Sequence, residues 1–129
     1  MKYLLLILAC IFSVNSFSQL KKADKFAKTI TAEELKEHLY IYASDEFEGR
    51  NTGAQGQKKA VEYLRNFYIE NEIEPGDPDK DYFQKMKLNL RRGNEGEVDS
   101  ENVIAIIKGS EKPDEYLVLT SHLDHVGYG

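Results

Sequence analysis

Two apolar runs near the C-terminal end set the terms for the fold. Val103-Ile104-Ala105-Ile106-Ile107 and Tyr116-Leu117-Val118-Leu119 are apolar at every position. Strand side chains alternate between the two faces of a sheet, so strands of this kind need cover on both sides. That is a central sheet position in an α/β domain. The polar connection from Gly109 to Glu115, turned at Pro113, is too short for a parallel crossover. The two runs are therefore predicted to pair as an antiparallel hairpin. Only two helices are expected upstream, too few to cover both faces, so the sequence reads as an unfinished domain.

The upstream elements follow from local patterns. Thr31-Ala32-Glu33-Glu34 is a capping box, a threonine cap with a glutamate three residues on. Leu35, Leu39 and Tyr42 then recur at helical spacing, and this first helix is expected to end near Ala43-Ser44. Asp45 to Gly56 reads as a loop, punctuated by Gly49, Gly53 and Gly56. A second helix is expected from Gly56-Gln57. Ala60, Val61, Leu64, Phe67 and Tyr68 form its buried stripe, with Lys58, Lys59, Glu62 and Arg65 toward water. Pro75-Gly76-Asp77-Pro78 blocks its continuation. Met86, Leu88 and Leu90 alternate with Lys87 and Asn89, a half-buried strand, and Arg91 to Ser100 reads as a polar loop.

The N-terminus has the layout of a secretory signal peptide. Lys2 supplies a positive start, Leu4 to Val14 an apolar middle, and Ser16 and Ser18 the small residues that precede cleavage. The apolar run is shorter than the about 20 residues a membrane span needs. Residues 1–18 are accordingly expected to be removed, leaving 19–129 as one exported domain, periplasmic or extracellular. Cys10 is the one cysteine, and Ile7-Leu8-Ala9-Cys10 offers lipoprotein anchoring as a minor alternative. Cleavage near Ser18 removes it, which excludes a disulfide framework and a cysteine-based zinc site. The formal charge of −5 does not point to nucleic acid, which normally requires a basic face, and Lys21, Lys22, Lys25 and Lys28 read as a solvated entry segment.

Chemistry concentrates in Thr120-Ser121-His122-Leu123-Asp124-His125-Val126-Gly127. The segment directly follows the second apolar run, and ligands gather at the carboxyl ends of strands in α/β sheets. In extended chain, His122 and Asp124 point the same way. That is the pairing a zinc site uses: one ring nitrogen binds metal while the carboxylate takes the other N–H and fixes the tautomer. His125 faces the opposite side. One histidine is an incomplete site, because zinc takes three or four protein ligands. His38 reads as a surface residue of the first helix. The acids of Asp45-Glu46-Phe47-Glu48 read as solvated or paired with Arg50. Gly53 to Gly56 reads as a helix-opening turn rather than an anion cradle.

Taken together, four segments resemble the di-zinc aminopeptidase family (peptidase family M-28) of the zinc-dependent exopeptidases. They are Ala43 to Arg50 with Thr52-Gly53 and Gly56, then Ala60 to Leu64, then Ser100 to Ala105 leading to Lys108-Gly109, and Ser121 to Gly127. The resemblance implies the N-terminal portion of a phosphorylase/hydrolase-like α/β domain with a central mixed sheet, incomplete at its C-terminus. It implies two zinc ions, a peptide substrate and hydrolysis of the N-terminal peptide bond by a metal-activated water with a glutamate as general base. His122 matches the family's first zinc-ligand histidine, and Asp124 the aspartate that supports it. The family's further ligands and its glutamate base lie downstream of the matching segments. The chain alone is therefore expected to be inactive. Related di-zinc carboxypeptidases and deacylases, and a non-catalytic exported binding module, are the competing readings.

Overall fold

The computed structural model describes residues 23–76, 81–90 and 96–128. The expected signal peptide over 1–18, Cys10 and the Asp77-Pro78 turn lie outside the described residues. The chain divides into two units, residues 1–41 and 42–129. It mixes helices with small antiparallel sheets, broadly α/β. No helix among the described residues is long and apolar enough to cross a membrane.

The first unit contributes most of helix α1, Ala32–Tyr42. Its start is the expected reciprocal cap. The Glu34 N–H donates to Thr31 Oγ1 at 3.2 Å, and the Thr31 N–H and hydroxyl donate to Glu34 Oε2 at 3.2 and 2.9 Å. The stripe fares differently from expectation. Leu35 and Leu39 are exposed, because the described residues of this unit provide no second layer to receive them.

The second unit is built on helix α2, Gln55–Glu70, and a hairpin of β2, Phe83–Asn89, with β3, Glu97–Val103. Two short strands, β1 (Glu74–Pro75) and β4 (Ala105–Ile106), form a second antiparallel pair. Ala60 and Val61 on α2 are buried, together with Phe47 from the preceding segment. Phe47 packs within 6 Å of both Tyr42 and Tyr63, centroid to centroid. Lys58 and Lys59, expected to face water, are instead partly buried and ion-paired, Lys58 to Glu101 on β3 and Lys59 to Glu48. At its C-terminus α2 stops before any proline acts. Glu72 adopts φ +55°, the Glu72 N–H donates to Ile69 O and the Ile73 N–H to Tyr68 O. That is a Schellman closure with a glutamate where glycine is usual.

Two strand expectations need correction. The presumed polar loop from Arg91 to Ser100 holds the first half of β3, which pairs with β2 in the register Leu88↔Val98 and Met86↔Ser100. The alternation on β2 is as read, with Met86 and Leu88 inward. The second correction concerns the apolar runs. The first is interrupted at Ile104, whose N–H goes to Tyr82 O. The second, 116–119, joins no ladder, and its side chains are exposed. An open cavity of about 970 Å³, lined by Leu64, Tyr68, Met86, Ile104, Leu117 and Leu119, separates it from the layer of α2 and the hairpin. A strand with two apolar faces gains from a ladder only when both faces are covered, and the described elements do not cover them. No mixed sheet forms among the described residues: both sheets are two-stranded and antiparallel.

Candidate functional site

Between α1 and α2 the chain forms a tight 3-10 segment, Asp45–Arg50. Phe47 anchors it in the core. Glu48, Gly49 and Arg50 then follow one another at φ +52°, +61° and +52°. Left-handed backbone costs an L-residue about 1–2 kcal/mol, so the two non-glycine cases flanking Gly49 need surroundings that hold them. Those surroundings are specific. Lys59 Nζ donates to Glu48 Oε1 at 2.8 Å and to Glu46 O at 2.9 Å. The Arg50 guanidinium lies over the Tyr42 ring, 4.6 Å from its centroid, and donates to Tyr42 O and, from Nε, to Leu123 O at 3.1 Å. Arg50 thus serves backbone carbonyls, and of the acids expected to be solvated or paired with it, Glu48 pairs with Lys59 instead.

Beyond the turn, residues 49–52 run alongside residues 123–127. The His125 N–H donates to Arg50 O at 2.9 Å and the Gly127 N–H to Gly49 O at 3.0 Å. Asn51 and His125 form an isolated parallel bridge. His125 is therefore a backbone partner of the turn. The Gly53 N–H is taken by Gln57 Oε1 at 3.1 Å, so this opening of α2 is no vacant anion cradle.

The strapped segment carries His122 and Asp124. The two do lie on one side: His122 Nδ1 is 2.8 Å from Asp124 O and 3.6 Å from Asp124 Oδ1. A carbonyl oxygen only accepts, so Nδ1 carries the proton and the lone pair of the neutral ring is on Nε2. The tautomer is thus set chiefly by the Asp124 carbonyl, where its carboxylate was expected to act. The carboxylate is occupied elsewhere: Thr52 donates its hydroxyl to Asp124 Oδ2 at 2.5 Å. Close by, burial raises the Tyr42 phenol above its ordinary pKa. Arg50 opposes that shift and Asp124 adds to it.

The fit to zinc can be judged from this arrangement. His122 presents what a metal ligand needs: an exposed ring, a neutral-ring lone pair at Nε2, and a hydrogen bond on the other nitrogen. A complete ligand set is another matter. Among the described residues no group of three or more His, Cys, Asp or Glu converges. The residues here fit one corner of a zinc site and do not enclose an ion by themselves. His38 lies on α1, away from the His122–Asp124 segment in sequence.

The sequence did not mark Thr52 as a site residue, and offered Arg50 only as a partner for the neighbouring acids. Each acts on residues more than seventy positions away, and neither falls in a periodic pattern. Their one signal was membership of the first family-like segment. Fold and site define an α/β chain whose histidine–aspartate corner is strapped by a left-handed turn. No family model, curated protein or solved structure matches this chain.

Proposed function

We propose that this chain carries the first corner of the metal centre of an exported zinc-dependent exopeptidase of aminopeptidase type, acting on peptides. The observation that supports the reading is the state of His122: Nδ1 protonated against Asp124 O, Nε2 left as a lone pair, and Asp124 held in turn by Thr52. His122 is the ligand and Asp124 its support. Bound there, zinc would supply Lewis acidity toward a peptide carbonyl. The chain's own residues hold the imidazole in a ligating tautomer and fix its direction. The further ligands and the general base come from residues other than those described. On this reading the fold is the N-terminal portion of a phosphorylase/hydrolase-like domain. Its central mixed sheet would take in the apolar runs at 103–107 and 116–119.

The test is hydrolysis of an aminoacyl amide by the protein as its gene encodes it, with and without zinc. Paired substrates with a free and an acetylated amine separate the classes. Zinc-dependent release from the free amine only, lost in His122→Ala, is the expected result. Release from the blocked substrate instead assigns the site to the related carboxypeptidases or deacylases. Absence of any zinc-dependent hydrolysis overturns the proposal.

A further inference from the structure

We propose that Thr52 is a positioning residue for the His122–Asp124 pair, and that the left-handed turn Glu48-Gly49-Arg50 exists to deliver it. The inference rests on the zinc reading above for its functional meaning, but its geometry stands independently. Asp124 is gripped at both ends. Thr52 Oγ1 donates to Oδ2 at 2.5 Å on one side, while the carbonyl accepts from His122 Nδ1 at 2.8 Å on the other. With Oδ2 engaged, the remaining carboxylate oxygen, Oδ1, is the one turned to the imidazole, at 3.6 Å. Without the hydroxyl, the Asp124 side chain, 43% exposed, is free to rotate toward water. One of the two holds on Asp124 is then lost, and the carbonyl that takes the Nδ1 proton is no longer fixed in direction.

Delivery of that hydroxyl is what the preceding turn accomplishes. Four backbone and guanidinium hydrogen bonds fix residues 49–52 against 123–127 or the end of α1: Gly127 N–H to Gly49 O, His125 N–H to Arg50 O, Arg50 Nε to Leu123 O, and Arg50 Nη1 to Tyr42 O. Three successive left-handed residues are an unusual way to join two helices. Backbone held in sparsely populated regions persists where its surroundings over-determine it, and such places cluster at functional sites. Here the strained turn ends two residues before the hydroxyl that touches the aspartate.

The experiment uses the full 129-residue chain labelled with ¹⁵N-histidine, with zinc chloride as the metal probe. The His122 ring nitrogens are read by NMR at a pH where the imidazole is neutral. In the wild type the Nδ1-protonated tautomer is expected to dominate, and added zinc to perturb Nε2. Thr52→Val removes the hydroxyl at nearly constant volume. It is expected to shift the tautomer ratio toward that of an unstructured histidine peptide and to weaken the zinc response roughly tenfold, the lower end of what outer-shell changes cost. Thr52→Ser, which keeps the donor, is expected to restore both. Unchanged tautomer ratio in a folded Thr52→Val chain overturns the proposal, as does failure of a folded Thr52→Ser chain to rescue. Should Thr52→Val not fold, the wild type still decides. A slowly exchanging Thr52 hydroxyl proton with a cross-peak to the Asp124 β-protons supports the contact, and a rapidly exchanging one overturns it. The tautomer comparison needs no metal. A chain whose His122 ignores zinc but whose tautomer follows Thr52 would fail the zinc reading and keep this one.

Discussion

Gly49 and Gly127 meet backbone to backbone. The Gly127 N–H donates to Gly49 O at 3.0 Å, and a Cβ built on Gly49 would lie 2.4 Å from Gly127 O. The obstacle is main chain, which has no rotamer through which to escape. Gly49 also sits at φ +61°, where an alanine pays about 1–2 kcal/mol for the backbone alone. Gly49→Ala is therefore expected to lose about 3 kcal/mol or more, strain and clash together. Gly96, whose Cβ would meet nothing within 4 Å, is the control: Gly96→Ala should change stability by no more than about 0.5 kcal/mol. Denaturant midpoints of the two variants measure the difference, and equal midpoints would mean the turn is not clamped as described.

A second polar contact holds α2 to the hairpin. Gln57 is 1% exposed, yet it is fully engaged: Oε1 accepts from the Gly53 N–H, and Nε2 donates to the Ser100 hydroxyl at 3.0 Å. Removing one partner leaves a buried group unsatisfied, at about 1–3 kcal/mol. Ser100→Ala and Gln57→Leu should each cost in that range. The double variant should cost less than their sum, by about 0.5–3 kcal/mol of coupling. A double-mutant cycle in urea reads the coupling directly, and strict additivity would contradict the contact.

Acid should act on α1 through its cap. The Thr31 hydroxyl and N–H hold the Glu34 carboxylate below its ordinary pKa, with a smaller contribution from His38. A carboxylate whose folded pKa is depressed stabilises above its unfolded pKa, and that contribution is lost as pH falls through the folded value. Far-UV circular dichroism should therefore show α1 losing helix as the pH drops below the ordinary carboxylate range. Thr31→Ala should begin with less helix at neutral pH and show a smaller acid-dependent loss. An identical acid profile in the variant would show that the cap carries none of the dependence.

What the sequence made legible is what is local. The capping box at Thr31–Glu34, the stripe centred on Ala60 and Val61, and the alternation of Met86 and Leu88 each repeat at a fixed short period. Those periods survive in the structure. Glu97 to Glu101 was missed as strand because its residues are mostly polar and its hydrophobic pattern is nearly silent. Its signal was charge across the ladder: Lys87 lies within ion-pair distance of both Glu97 and Asp99, a complementarity that stabilises paired strands. The apolar run at 116–119 shows the reverse error. Its composition specifies burial without specifying by what, and the described elements do not supply the cover. In the site, the shared side of His122 and Asp124 followed from alternation alone. Thr52 and Arg50 did not, because a contact spanning more than seventy residues leaves no period to read.

The single-ligand corner makes its own prediction about metal. Three or four ligands are the norm for zinc, and closed sites yield apparent binding free energies of about 10–16 kcal/mol at neutral pH. The described residues offer His122 and no converging group of three. Zinc binding by the 129-residue chain should therefore fall well short of about 10 kcal/mol. What binding there is should vanish in His122→Ala and survive in His125→Ala, since it is His122 whose Nδ1 is engaged by Asp124 O, leaving the Nε2 lone pair for the metal. Equilibrium dialysis of the three chains against zinc separates the cases. Equal loss in both histidine variants would indicate surface chelation by neighbouring imidazoles. Tight binding in the His122→Ala chain would move the metal site away from this corner altogether.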